Sequence, residues 1–302
     1  MQEYSGKWLR KPECVLFEVD GAVAKITLNR PEKRNAISHQ LIYELRDALL
    51  EADDRQDINA VLLQGAGKDF CAGYDLTSSY GDWEPENKDA EKYDYRPAYG
   101  SFDNDCWSME RFQAIPDLIF SMHKPVIAKI HGNCLAGGTD LALRCDMIVA
   151  ADDAKIGFPA IRANGSPPSH MWTYHVGPQW AKRLLLTGDV ILGRDAAKIG
   201  LVLDAVPADE IDDFAMDLVR RVALVDTELS AAQKRIVNMA MEQMGMMTTQ
   251  RFAREMDARA HLGTGPARTR FWTDMREGGL KQALAGRDGP FGDSVIKLRT
   301  DR

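Results

Sequence analysis

The chain has 302 residues, of which 45% are hydrophobic and 27% are charged, and its formal net charge at pH 7 is -7. This balance is typical of globular proteins, and it argues against a nucleic-acid partner, because phosphate backbones bind basic surfaces. No apolar run approaches the ~20 residues of a membrane-spanning helix, and the first residues lack the apolar centre of a signal peptide, so we expect a cytoplasmic protein without a membrane partner.

Cysteine and histidine spacing gives no sign of a bound metal. The five cysteines form no CxxC pair, which favours free thiols in a reducing compartment. The six histidines form no HExxH motif, and the chain has neither a P-loop nor GxGxxG. We therefore predict no metal site and no separate cofactor.

The N-terminal part predicts a hairpin, a helix and a buried strand. Apolar runs at 14–20 and 23–28 flank Asp20-Gly21, a dipeptide that suits a tight β-turn. Ser38 is a suitable N-cap for a helix with one apolar face. Residues 60–64 are a run of Val and Leu that is typical of a buried strand.

The rest of the chain alternates between strands and helices and then becomes helical. Residues 127–146 begin as a strand, break at glycines and continue as a helix. The other predicted strands are 147–151, 156–158 and 201–206, and the other predicted helices are 112–122, 179–186, 194–199, 209–223, 228–244, 248–262 and 266–285. This order predicts an α/β fold with a mostly parallel sheet, divided into a core domain (1–207) and a C-terminal helical region (208–302).

Residues 77–106 are acidic and aromatic and show no helical or strand period. Long loops in compact domains are usually functional or mobile. We interpret this insertion as a lid or pocket wall, with a plain surface insertion as the alternative.

Two strand–glycine–helix turns, at 70–76 and 135–138, carry the strongest functional signal. Backbone N–H groups at such turns, aided by a helix dipole, can face a developing negative charge. If both turns are adjacent, two N–H groups can converge on one carbonyl oxygen. Either turn alone could equally serve packing.

Five segments in the same order resemble the crotonase (enoyl-CoA hydratase/isomerase) superfamily. Residues 29–36 are similar to its N-R-P-x-x-x-N-A segment, and residues 70–76 to its F-x-A-G-x-D-L turn. Residues 127–146 match its central strand and helix. Residues 186–189 and 196–202 match its L-T-G-D and A-x-x-x-G-L-V segments.

The resemblance implies a crotonase-like spiral of β-β-α units with a C-terminal helical region that serves trimerisation and covers the active site. It also implies homotrimers, often paired into hexamers, and an acyl-CoA thioester as substrate. The thioester oxygen would accept hydrogen bonds from the backbone N–H groups of Tyr74 and Gly137.

The resemblance also assigns the coenzyme A contacts. Ala72 and the segment from Arg34 to Ala36 match where the family holds adenine and pantetheine. Lys33 and Arg34 are candidates for the phosphates, although exposed cations are more often simply solvated. The lysine that usually meets the phosphates near the C-terminus is absent, and Arg287 is the nearest cation.

The acid–base positions depart from the family pattern. The first of the family's two glutamates matches Asp140, and the second matches Ala160, which cannot transfer a proton. Ordinary hydration is therefore doubtful, because it needs an oriented water and a proton source. Asp140 is the leading acid–base candidate, with a helix-start carboxylate as the alternative. Weaker candidates are His170, His175, Asp82, Glu84 and the hydroxyl of Tyr74, which is more readily an aromatic wall, while Asp75 is expected to cap a helix.

The leading hypothesis is an enoyl-CoA hydratase/isomerase-type enzyme that stabilises a thioester enolate. Isomerisation of a double bond needs fewer groups than hydration, since one carboxylate can move a proton between carbons. The aromatic insertion favours an alternative, hydrolysis of a C–C bond in a ring or β-diketone substrate. Ala160 favours a further alternative, an inactive CoA-ester-binding protein.

Overall fold

The computed structural model describes residues 6–77, 96–98 and 100–298. In chain order its strands are β1 (Val15–Asp20), β2 (Val23–Leu28), β3 (Ala60–Gly65), β4 (Val126–Ile130), β5 (Asn133–Leu135), β6 (Met147–Ala151), β7 (Lys155–Gly157), β8 (Val190–Leu192), β9 (Asp204–Val206) and β10 (Val295–Ile296). Its α-helices are α1 (His39–Asp54), α2 (Phe102–Ser121), α3 (Gly137–Ala142), α4 (Trp172–Leu185), α5 (Gly193–Lys198), α6 (Ile211–Ala223), α7 (Thr227–Gln243), α8 (Met246–His261) and α9 (Pro266–Asp288).

The main sheet has the strand order β1-β2-β3-β4-β6-β9. β1 and β2 form the predicted antiparallel hairpin, and every other neighbouring pair is parallel. β4 is buried along its whole length, as expected where helices cover both faces of a parallel sheet. The predicted α/β fold with a mostly parallel sheet is confirmed.

A second sheet, with the order β10-β8-β7-β5, was not predicted beyond β7. Its strands contain only two or three residues each, which is too short for a periodic pattern to be recognised. β5 leads directly into the Ala136-Gly137 turn, so this small sheet anchors one of the two glycine turns.

Local signals placed several helices correctly. The Ser38 hydroxyl accepts a hydrogen bond from the backbone N–H of Leu41 at 3.2 Å and caps α1 as predicted. The four C-terminal helices occur where they were expected. The chain then returns to the core, because β10 pairs with β8, and the division between residues 207 and 208 stays a prediction.

The predicted start of the helix at 112–122 is wrong, because α2 begins ten residues earlier, at Phe102. The Ser101 hydroxyl accepts a hydrogen bond from the N–H of Asn104 at 3.1 Å and caps this longer helix. Residues 102–106 therefore belong to a helix and not to the insertion. Most of the remaining insertion, with Asp82 and Glu84, lies outside the described residues. Within the described ranges, no helix is long and apolar enough to cross a membrane.

Candidate active site

The two glycine turns lie side by side. Cys71 and Cys134 form a parallel β-bridge, in which the N–H of Leu135 donates to the carbonyl oxygen of Cys71 at 2.9 Å. Gly73 has φ +106°, and a Cβ atom there would lie 2.9 Å from Ala136 Cβ. Only glycine allows both this conformation and this approach.

The backbone hydrogen bonds around the turns set the directions of the N–H groups of Tyr74 and Gly137. Ile37 donates to the carbonyl of Gly73 at 2.8 Å and accepts from Asp75 at 3.0 Å. Because N–H directions alternate along an extended strand, the N–H of Tyr74 points away from Ile37. α3 begins at Gly137, and the first N–H groups of a helix have no partner within it.

Ala136, the residue before α3, adopts φ +47° and ψ -119°. Positive φ is costly for a residue with a Cβ atom. Its carbonyl oxygen accepts hydrogen bonds from Thr139 and Asp140, which hold the turn. The start of α3 is thus held by a residue, Ala136, in a backbone conformation that alanine does not favour.

A hydrogen-bonded chain of three side chains crosses this turn. The hydroxyl of Tyr74 donates to Asp140 Oδ2 at 2.7 Å, and Gln113 Nε2 donates to the same hydroxyl oxygen at 2.8 Å. The Tyr74 ring also covers Gly137, where a Cβ atom would lie 2.9 Å from the ring carbon Cζ. The hydroxyl of Tyr74 therefore makes polar contacts, although the sequence favoured an aromatic wall as the role of this side chain.

Asp140 is 1% exposed. Burial raises the pKa of its carboxyl group well above the usual range, and the Tyr74 hydrogen bond opposes this shift only in part. Asp257, a neighbouring carboxylate, adds to the rise in the pKa of Asp140. Within the described part of the chain, Asp140 Oδ1 has no side-chain partner, and the backbone of Ser169 lowers the pKa of this carboxyl group slightly against the rise. A buried carboxyl group with a raised pKa is suited to proton transfer.

A cavity of about 40 Å³ adjoins Tyr74, with room for a few water molecules. Helix α2 supplies most of its wall, and the Phe112 ring meets the Tyr74 ring edge-on at 5.7 Å between centroids. The cavity is lined by Tyr74, Asp105, Ser108, Met109, Phe112, Asp257 and His261.

Tyr74 is the only one of these lining residues that the sequence placed at the site, and the acid–base side chains of Asp105, Asp257 and His261 were missed, as was Gln113. Asp257 and His261 are four residues apart, so they share one face of α8, and this spacing was the available signal. Asp105 carried none, because the N-terminal half of α2 was not recognised as a helix. Gln113 lies within the predicted helix 112–122, but nothing in its local spacing indicates a partner on another element.

The predicted coenzyme A contacts lie together next to the first turn. The N–H of Ala72 donates to the carbonyl oxygen of Arg34 at 2.9 Å. The carbonyl of Ala36 accepts from the Arg30 guanidinium at 2.6 Å. Lys33 and Arg34 are exposed beside them. These contacts join the segment from Arg34 to Ala36 to the first turn and leave two exposed cations beside it.

Arg287 has different neighbours. Its buried guanidinium donates to Asp288 at 2.9 Å and to the side chain of Asn164 at 2.9 Å. The structure therefore does not bring Arg287 together with Lys33 and Arg34.

The weaker acid–base candidates have structural partners. His170 Nε2 lies 2.8 Å from the Thr173 hydroxyl, and His175 Nε2 lies 3.0 Å from the carbonyl oxygen of Leu143. Burial lowers the pKa of both imidazoles.

Two further sequence predictions can be compared with the structure. Asp75 pairs with Arg30 at 3.0 Å and accepts from the N–H of Thr77 at 2.9 Å, so the described residues give it no helix to cap. Ala160 lies in a short 3₁₀ helix, Pro159–Arg162, and its methyl group offers no acid or base.

Comparison with known proteins identifies the family. The model of the enoyl-CoA hydratase/isomerase family matches residues 18–266. The chain therefore belongs to this family, and its resemblance to the crotonase superfamily is confirmed.

Relatives and solved structures agree with this assignment. The chain is 32% identical over 233 residues to a probable enoyl-CoA hydratase, EchA8, of Mycobacterium bovis. The aligned region covers 76% of this chain and 83% of the relative. The crystal structure of an enoyl-CoA hydratase from Mycobacterium smegmatis superposes with a TM-score of 0.83 at 35% identity, covering 93% of this chain and 94% of that one. An enoyl-CoA hydratase/isomerase from Xanthobacter autotrophicus Py2 gives a TM-score of 0.81 at 31% identity, covering 92% and 98%.

Proposed function

We propose that this protein converts an acyl-CoA thioester into its enolate and directs the proton to another carbon, so that a double bond moves. The observation that carries the proposal is the Tyr74–Asp140 hydrogen bond beside the Gly137 turn. It joins a buried acid–base group to the region where two backbone N–H groups can hold the thioester oxygen.

The mechanism divides the work between backbone and side chain. The N–H groups of Tyr74 and Gly137 would stabilise negative charge on the thioester oxygen, and preorganised donors of this kind are worth a factor of ~10² to 10³ each in rate. The ionised Asp140 carboxylate would remove a proton from the carbon next to the carbonyl. Gln113 and the hydroxyl of Tyr74 would hold Asp140 in place.

Coenzyme A would lie along the surface formed by Ala72 and the segment from Arg34 to Ala36. Lys33 and Arg34 are the cations available there for its phosphates, and coenzyme A enters as part of the substrate and not as a separate cofactor. Arg287 is a weaker candidate, because its side chain is buried and pairs with Asp288 at 2.9 Å, whereas the side chain of Arg34 is exposed and lies 3.9 Å from Asp69.

We further propose a homotrimer or a hexamer formed from two trimers. Apolar side chains on the C-terminal helices are exposed in the single chain, which is typical of surfaces that pack against a partner. They include Leu229, Ile236, Val237, Met244 and Phe252. The cytoplasmic location stays a prediction.

Isomerisation is favoured over ordinary hydration because Ala160 leaves one of the two expected carboxylates missing. The alternative with ring-bearing substrates rested on the aromatic insertion, most of which lies outside the described residues. The inactive-binder alternative is disfavoured by Asp140, since a carboxyl group that is costly to bury is retained at the site.

One substrate panel tests these possibilities. Crotonyl-CoA, trans-3-hexenoyl-CoA and a cyclic β-diketone CoA ester would be assayed with the wild type and Asp140→Asn. We expect the wild type to isomerise the 3-enoyl thioester and Asp140→Asn to lose at least ~100-fold in rate. Tight binding without turnover would support a binding protein, and rapid hydration of crotonyl-CoA would overturn the preference for isomerisation.

A further inference from the structure

A second cluster of titratable groups faces the same cavity as Tyr74. His261 Nδ1 lies 3.1 Å from Asp105 Oδ2, which fixes the ring through helix α2. His261 Nε2 lies 3.6 Å from Asp257 Oδ1. All three side chains line the cavity, and both carboxylates are almost completely buried.

This cluster lies against the loop that follows Ala160. The carbonyl oxygen of Ala160 accepts a hydrogen bond from the N–H of Gly165 at 3.2 Å. A Cβ atom on Gly165 would lie 2.4 Å from Asp257 Oδ1 and 3.1 Å from His261 Nε2, and the N–H of Ser166 donates to Asp257 at 2.7 Å. The cluster therefore approaches the site from the side where Ala160 provides no acid or base.

The charges around His261 favour its protonated form. Burial lowers the pKa of the imidazole, but the hydrogen bond to Asp105 and the negative charge of Asp257 outweigh it, so the pKa is raised overall. Arg268 on α9 opposes that rise. Burial raises the pKa of Asp257 to about 6. With Nδ1 held by Asp105, the Nε2 proton is the one that can be transferred.

We propose that His261 is the second proton-transfer group of the site and delivers the proton to the distal carbon of the enolate. The inference rests on the proposed function, and it adds a residue at a position outside the motifs of the sequence. Asp105 and Asp257 are positioning residues, because they act through the imidazole.

The isomerisation step balances in protons and electrons. Asp140 takes a proton from C2 of a 3-enoyl thioester, and the electron pair extends over the thioester and the C3–C4 bond. The His261 imidazolium gives its Nε2 proton to C4 while the double bond moves to C2–C3. Asp140 then carries the proton taken from C2 and His261 lacks the proton given to C4, so loss of a proton from Asp140 to water and uptake of one by His261 restore both groups.

Two readouts on one substrate separate the roles of Asp140 and His261. Trans-3-hexenoyl-CoA in D₂O reports proton removal as deuterium incorporation at C2 by NMR, and isomerisation as the ultraviolet absorbance of the conjugated product. We expect His261→Gln to retain incorporation at C2 while isomerisation falls by ~10² or more. The matched control is His123→Gln, a substitution of an exposed histidine paired with Asp53, which should leave both rates unchanged.

A second variant tests the same role without removing the ring. Activity that needs the imidazolium is lost as pH rises through the pKa of His261. Asp105→Asn removes the charge that supports this pKa, so the alkaline fall of the isomerisation rate should move about one pH unit or more to lower pH.

The outcomes separate this inference from the proposed function. A folded His261→Gln variant that keeps both rates, or loses both, overturns the role of His261. If His261→Gln fails to fold, the role of His261 is overturned when the isomerisation rate of Asp105→Asn falls at the same alkaline pH as that of the wild type. A wild type without deuterium incorporation at C2 would contradict the proposed function itself.

Discussion

Replacing Tyr74 with phenylalanine removes one hydroxyl group and keeps the ring over Gly137. The backbone N–H at position 74 is also retained. The hydroxyl donates to Asp140 at 2.7 Å and accepts from Gln113 at 2.8 Å. The substitution therefore isolates the effect of that hydroxyl on the Asp140 carboxylate.

The magnitude follows from the strength of the lost bond. A hydrogen bond to a charged group contributes about 1.5–3 kcal/mol, and one pKa unit corresponds to about 1.36 kcal/mol. The hydroxyl lowers the pKa of Asp140, so Tyr74→Phe should raise that pKa by roughly one to two units. Because the ionised carboxylate is the base, the rate should rise with pH at a correspondingly higher pH.

The assay is the pH dependence of kcat/KM for trans-3-hexenoyl-CoA. At pH values below the pKa of Asp140, the kcat/KM of Tyr74→Phe should be lower than that of the wild type by a factor of ~10 to 100. At alkaline pH it should approach the wild-type value. Tyr43→Phe is the control, because Tyr43 is partly exposed on α1. An acid limb at the wild-type pH would refute the link between Tyr74 and Asp140.

Three further changes test the energetics of burial and close packing. Asp140→Asn should stabilise the protein, because ionisation of the unfolded Asp140 carboxyl group favours unfolding of the wild type. The difference in unfolding free energy should grow above about pH 4 by ~1.4 kcal/mol per pH unit, up to the raised pKa of Asp140. Denaturant unfolding that shows no pH-dependent difference between the two proteins would contradict this. Gly137→Ala should lower turnover by roughly 100-fold or more, because its Cβ would press on the Tyr74 ring, whereas Gly289→Ala, which meets open space, should be neutral. Lys234→Met should cost about 3–5 kcal/mol of unfolding free energy, since the buried ammonium bonds Asp146 at 2.8 Å, and an unchanged urea midpoint would show that this ion pair is dispensable.

The sequence predicted those parts of the fold whose residues carry a strong local pattern. The hairpin had Asp20-Gly21, and α1 had its Ser38 cap and an apolar face. The second sheet could not be predicted, because its strands gain their stability from neighbours and not from their own two or three residues. The early start of α2 was missed because acidic and aromatic residues obscured its helical period.

The candidate site could be predicted where its backbone geometry requires glycine. The turns with Gly73 and Gly137 were recognised, and the structure brings them together. The side chain of Tyr74 was interpreted mainly as an aromatic wall, because a hydroxyl partner on another element leaves no trace in local spacing. Asp105 and His261 are separated by 156 residues, so their pairing depends on how α2 and α8 pack.

The pairing of β10 with β8 has a consequence for the order in which the protein can assemble during synthesis. β5, which leads into the Gly137 turn, belongs to a sheet whose edge strand is Val295–Ile296. The ribosome must therefore release the chain as far as Ile296 before that sheet is complete. A nascent chain halted after α9 would contain every proposed catalytic residue and still lack the edge strand of the sheet that leads into the Gly137 turn, so activity should appear only after Val295–Ile296 has been synthesised.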